Sequence, residues 1–299
     1  MTQPRIAAFA RLANGNVEPK RVIEGQATKL ARTLHGIDYN PVRDEISATN
    51  PLAASVLVFR GGATGEEPPL RIIQGPKTRM VFPQAVAVDV KNKEYFVSDP
   101  DGNKVLVFPE EANGDVAPIR VLEGPKTRLG YVAPLAIDPD RDLLVVANRS
   151  YGETTTGLFI FNRTDNGNVA PRAVISGSNT GIMFPFQIQF HNGKLFVALL
   201  NAPYYPMYTL ITPRPGFGPA SPIKSPWTSE IIGGIGVWDI TDNGNVPPQA
   251  YIRGPISGLI HPGGVAINPR EGEVYAVDSV KNGLFAYLVP EFFRLGPRK

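Results

Sequence analysis

The 299-residue chain has only three histidines, the side chains that change charge near neutral pH without help from their surroundings. His35 and His261 each stand just ahead of a short apolar run, in HGIDYN and HPGGVAIN. Brought together, with Gln84 and Asp38 as companions, two imidazoles and a carboxylate would bind one divalent metal such as calcium or zinc, or pass a proton. His191 ends its run instead, in QIQFH, and reads as a hairpin cap. The chain has no cysteine, which removes disulfides, thiol nucleophiles, Cys-ligated zinc and iron–sulfur clusters. Asp138, Asp140 and Asp142 are spaced like part of a calcium loop, but the following Gly and the distal Glu are missing, so a polar hairpin turn is the plainer reading. GPKT at 75–78 has Pro where a phosphate loop needs Gly. GSNTG at 177–181 lacks the central Ser of a nucleophile elbow.

The elements that position these residues come from a repeat. NGNVEPKRVIEG (14–25) recurs as NGDVAPIRVLEG (113–124), NGNVAPRAVISG (166–177) and NGNVPPQAYIRG (243–254), with a degenerate copy TGEEPPLRIIQG (64–75). Between copies lie three short apolar runs in constant order, for example AVAVD (85–89), EYFVSD (94–99) and KVLVF (104–108). Each run is rich in Val, Ile, Phe and Tyr and bounded by Gly, Pro, Asn or Asp, as strands are. Gly and Pro number 30 each, well above the usual combined share of about 12%, and they interrupt any helical pattern. Four strands per repeat is the blade of a β-propeller.

The expected architecture is one all-β domain over 1–299 with five four-stranded blades, six being the alternative. Strands from the N- and C-terminal segments would share the last blade, RVIEG completing the three runs of 263–290, because closure removes open sheet edges. IAAFA (6–10) fits this plan poorly, since it looks like a spare third strand.

In such a fold the loops leading into each blade share one face, here the inlet face, and the NGNV loops are expected on the opposite one. The inlet face collects Lys77, Arg79, Lys126 and Arg128 from two GPKTR copies, a basic sector for an anionic ligand or partner, or else a duplicated turn. It also collects the insertion 201–230 of the fourth full blade, whose Tyr204, Tyr205, Tyr208 and Trp227 suit a lid or binding wall, or a loop pinned to its neighbours. The net charge of +3 permits an acidic partner, but no aromatic residues interleave the basic ones, so nucleic acid is not expected. No apolar stretch is long enough to span a membrane. The start shows no signal peptide, so the expected compartment is the cytoplasm if the chain is complete and the exterior if it is a processed form.

The series FPQAVAVD, EYFVSD, KVLVF and ANGDVAPIRVLEG resembles NHL-type propeller repeats, which are related to lactonase-like and SMP-30/gluconolactonase-like propellers. The resemblance covers most of the chain outside 201–232 and the last ten residues. It implies a propeller that serves as a binding platform, a hydrolase or a lyase, and does not choose among them. The SMP-30-like enzymes place a Glu, two Asn and an Asp around a metal in the central channel, and that set does not map here residue by residue. Asp99, Asn148, Asn201 and Asp278 end their second strands, where Asn and Asp commonly close turns. Three readings follow. The first is a ligand- or protein-binding propeller using the inlet face and the insertion. The second is a small-molecule hydrolase or lyase with His35 and His261 at the channel mouth. The third is a structural subunit joined through its spare N-terminal strand.

Overall fold

The computed structural model describes residues 4–149, 155–200 and 233–296. These form two compact units, one of 1–154 with 160–172 and one of 155–159 with 173–299. Among the described residues there is no α-helix, only strands and short 3-10 turns.

β1 (Arg5–Ala8) and β2 (Arg21–Glu24) make a two-stranded sheet. Four-stranded antiparallel sheets follow in chain order. The first holds β3 (Ile37–Asn40), β4 (Glu45–Asn50), β5 (Ser55–Arg60) and β6 (Arg71–Gln74). The second holds β7 (Ala85–Asp89), β8 (Glu94–Asp99), β9 (Lys104–Pro109) and β10 (Arg120–Leu122). The third holds β11 (Val132–Asp138), β12 (Leu143–Asn148), β13 (Gly157–Asn162) and β14 (Ala173–Ile175). The fourth holds β15 (Pro185–His191), β16 (Lys194–Leu199), β17 (Gly234–Asp239) and β18 (Ala250–Ile252). The fifth has three strands, β19 (Pro262–Asn268), β20 (Glu273–Asp278) and β21 (Gly283–Leu288). The fold is an all-β, five-bladed β-propeller.

RVIEG, expected to complete the last blade, forms β2. β2 pairs with β1, Arg5 opposite Glu24 and Ala8 opposite Arg21, and β19–β21 keep three strands. A short loop joins β1 to β2, so their pairing costs little chain entropy. The same strand, NG loop and strand build β9 and β10 of the second blade. The spare IAAFA segment is thus the third strand of a partial blade.

Burial explains the apolar runs. β8 and β12 are buried along their whole length, because each inner blade is covered on both faces. In the first unit Val56, Val58 and Ile73 pack with Tyr95, Val97, Leu106 and Phe108. In the second, Phe196, Ile235 and Val237 pack with Val265, Val274 and Phe292. Each such side chain contributes about 1.5–3 kcal/mol. β21 alternates instead between half-buried and exposed residues, and Leu284 and Leu288 face solvent.

Candidate functional site

The repeated NG loop and the repeated GPKT turn meet in one contact at the rim. Gly114 forms a parallel bridge with Ile73 of the preceding blade's outer strand. Asn113 accepts the Ile72 N–H at 3.0 Å, and Asp115 accepts the Lys77 N–H at 2.7 Å. Asn166 and Asn168 do the same for Val121 and Lys126, at 2.9 and 2.7 Å. Asn243 and Asn245 repeat it on Val174 and Asn179, at 3.0 and 2.7 Å. The NG loops therefore lie against the inlet turns rather than on the opposite face. The turns are self-supporting too, since Thr78 and Thr127 each donate to the carbonyl three residues back at 2.6 Å.

This contact changes the reading of the basic sector. Lys77, Arg79, Lys126 and Arg128 are all exposed. Arg79, however, places one guanidinium nitrogen 2.8 Å from both oxygens of Glu123, and Asp115 caps the turn that carries Lys77. The sector is mixed in sign, and GPKTR is first of all a good turn.

The polar ends of the second strands clasp the inlet loops. Asp99 accepts from Val81 and Phe82 N–H at 2.7 and 2.9 Å. Asn148 accepts from Gly130 N–H at 2.7 Å, and Asn50 from Ala31 N–H at 3.0 Å. Asp278 takes the N–H groups of Ile260 and His261 on one oxygen and those of Val280 and Lys281 on the other. Those hydrogen bonds outweigh burial and hold the Asp278 carboxyl below its usual range. Asp99, Asn148 and Asp278 thus clasp the inlet loops at their strand ends. Among the described residues no group of three or more His, Asp or Glu could hold a metal ion. Asp138, Asp140 and Asp142 likewise separate, contacting Arg141, Lys91 and Arg163 in turn.

In the first unit His35 meets Phe82, and the backbone of Gln84 lies against that of Gly36. The His35 and Phe82 rings meet edge to face with centroids 6.3 Å apart. Gly36 lies against the Gln84 carbonyl and Ala85, close enough that a Cβ there would clash with backbone. Gln84 is 6% exposed, and its side-chain Oε1 has no hydrogen-bond partner. A buried orphan acceptor of this kind costs about 1–3 kcal/mol. Asp38 lies on β3, two residues after Gly36. Its carboxylate accepts the N–H of Tyr39 at 2.9 Å and that of Val88, on β7, at 2.8 Å. Burial pushes its pKa up to about 6 against the pull of those donors. Asp38 therefore links two inner strands, as Gln187 does on Val265 N–H at 2.8 Å in the second unit.

His261, in the second unit, is 7% exposed. Its Nδ1 lies 2.5 Å from the Ser279 hydroxyl, a partner that sequence reasoning missed because eighteen residues separate the two. Burial is the main cause that lowers its pKa, with Asp278 pulling the other way. His191 rests its ring on Phe293, with centroids 5.9 Å apart, beside the Asn192–Gly193 turn. The insertion 201–230, with Tyr204, Tyr205, Tyr208 and Trp227, lies outside the described residues, as does Asn201.

No family profile matches the chain, and no curated protein matches it in sequence. Solved structures do share its fold. A chain of the nidogen/laminin complex matches over 97% of this chain and 88% of its own, with a TM-score of 0.62 at 13% identity. A candidate 6-phosphogluconolactonase from Bacteroides uniformis matches over 94% and 72%, with a TM-score of 0.55 at 16% identity. The hydrazine synthase of Kuenenia stuttgartiensis matches over 84% and 58%, with a TM-score of 0.51 at 13% identity. At these identities the likeness is one of fold, and it places the chain among the β-propellers.

Proposed function

We propose that this chain is a binding propeller whose inlet side takes a small molecule or a protein surface. The observation that carries the reading is the buried Gln84 Oε1, which has no hydrogen-bond partner. A ligand N–H or O–H would relieve the buried acceptor. The basic side chains Lys77, Lys126 and Arg128 on the inlet turns would add contacts to an anionic part of the partner. A propeller of similar fold in the nidogen/laminin complex accords with a binding role. Thermal-shift screening against small amines, amides and polyols tests it, with wild type beside Gln84→Leu. The expected result is a compound that raises the wild-type melting temperature and leaves the variant unmoved. Equal shifts in both proteins would overturn the role of Gln84.

A second reading, a lactonase-like hydrolase, draws on the second unit. With His261 protonated on Nε2, Nδ1 can accept the proton of the exposed Ser279 hydroxyl, and its lowered pKa keeps the ring neutral near pH 7. A lactonase-like neighbour is in keeping with that reading. Turnover of simple esters and lactones that disappears in Ser279→Ala would support it, and equal background rates in both proteins would remove it.

A further inference from the structure

In the second unit β21 is followed by a segment that pairs with no strand among the described residues. Pro290–Arg294 form one 3-10 turn, and Leu295 and Gly296 follow. Proline has no N–H to prolong a ladder, so the β21 pairing stops there. Gly272 lets the segment leave the sheet closely: its φ is 70°, and a Cβ on it would lie 2.7 Å from the Pro290 Cβ. The Val289 N–H donates to Gly272 O at 2.8 Å just before the segment departs.

Side chains hold the segment to its unit. Phe292, 8% exposed, sits in the cluster with Phe196, Ile235 and Val274, and Leu295 packs against the same cluster. The Phe293 ring stacks on Phe196 with centroids 5.2 Å apart and meets His191 edge to face at 5.9 Å. At the far end Lys194 Nζ donates to Gly296 O at 2.6 Å.

That lysine departs from the pattern of the repeat. In the first two blades the second strand opens on Glu45 or Glu94, and each holds an Arg of its own outer strand, Arg71 or Arg120. In the fourth blade the second strand opens on Lys194, which is 4% exposed. Its ammonium donates to Asp239 at 2.6 Å and to Gln249 at 2.8 Å, both in the same blade. Its charge is thus balanced without the segment, and the third donor goes to a backbone carbonyl. An aromatic platform beside a paired ammonium suits a short peptide with two adjacent aromatic side chains and an accessible carbonyl.

We infer that the fourth blade carries a peptide-binding groove, built from His191, Lys194 and Phe196, which this chain fills with its own segment 290–296. The segment leaves without unfolding the sheets, because it takes no ladder bond with it and Asp239 and Gln249 keep Lys194 paired. A separate peptide with the same pair of phenylalanines takes its place. This goes beyond the ligand reading at Gln84 and does not depend on it.

Fluorescence anisotropy of a labelled peptide of residues 289–296 tests the inference. The partners are the full chain and the full chain carrying Phe292→Ala with Phe293→Ala. The tethered segment competes in wild type, so the variant is expected to bind the peptide about tenfold or more tightly than wild type does. The variant should still melt cooperatively, and a peptide with both phenylalanines replaced by Ala should bind neither chain. A folded variant that binds no peptide, or that binds both peptides equally, would overturn the groove. A variant that no longer folds would overturn it too, because the segment would then be core and not ligand.

Discussion

The loops 166–168 and 14–16 have the same three residues and nearly the same backbone, yet only one of them holds anything. Asn166 and Asn168 join the third blade to the outer strand of the second, and their carbonyl oxygens accept from Val121 and Lys126. Asn14 and Asn16 stand at the chain's first repeat and make no hydrogen bond with the described residues. The motif is thus a fastener whose worth depends on its neighbour. A sequence repeat marks where a fastener is made, and the tertiary structure decides whether it is closed.

The closed junction is also tied by ions, and these should show the largest effect. Arg163, 9% exposed, reaches across to Glu94 at 2.7 Å and binds Asp142 at 2.9 Å. Replacing it with Ala leaves the buried Glu94 and Asp89 short of a cation, and chemical denaturation should register a loss of about 3–5 kcal/mol. A loss below about 1 kcal/mol would show that Arg120, which also pairs with Glu94, suffices alone.

The comparison itself is tested next. Asn166→Ala with Asn168→Ala should cost about 2 kcal/mol, because two N–H groups lose their acceptors. The same pair of changes at Asn14 and Asn16 should stay within about 0.5 kcal/mol at concentrations where the chain is monomeric. Equal losses at both places would mean that the first loop is also closed.

Asp38 offers a smaller and pH-dependent contrast, an inner clasp that carries a charge where Gln187 carries none. Its folded pKa of about 6 lies above the ordinary aspartate value of 3.8, so the folded state binds the proton more tightly. The stabilisation is therefore complete below about pH 4 and is lost as pH rises through 6. Asp38→Asn keeps an acceptor for Val88 N–H without the charge. Relative to wild type it should gain about 1–2 kcal/mol between pH 7 and 8, and the gain should vanish near pH 4. A pH-independent difference would mean that Asp38 is not buried as a charge.

Much of the fold was legible because strands this short leave their signal locally. EYFVSD (94–99), LLVVAN (143–148) and KLFVAL (194–199) are strands over the residues read from the sequence, since each is a short run rich in apolar residues within Gly, Pro, Asn and Asp boundaries. The turn role of Asp99, Asn148 and Asp278 was readable for the same reason: a short polar side chain at a strand end finds backbone donors close by. The site was less legible. Gln84 was singled out for its place before β7, but nothing in the residues around it tells that Oε1 would be left without a donor. Nor does any local pattern tell that Asp38 would accept from Val88, fifty residues away.

What the sequence by itself determined is the repeat, the strands and the turns, because backbone propensity, apolar alternation and Asn, Gly and Pro chemistry act over a few residues. What only the tertiary structure decided is the choice of partners. β2 took β1, Arg79 took Glu123, and His261 took Ser279. Each of those choices is a competition among groups far apart in the chain, settled by burial and geometry that no local pattern encodes.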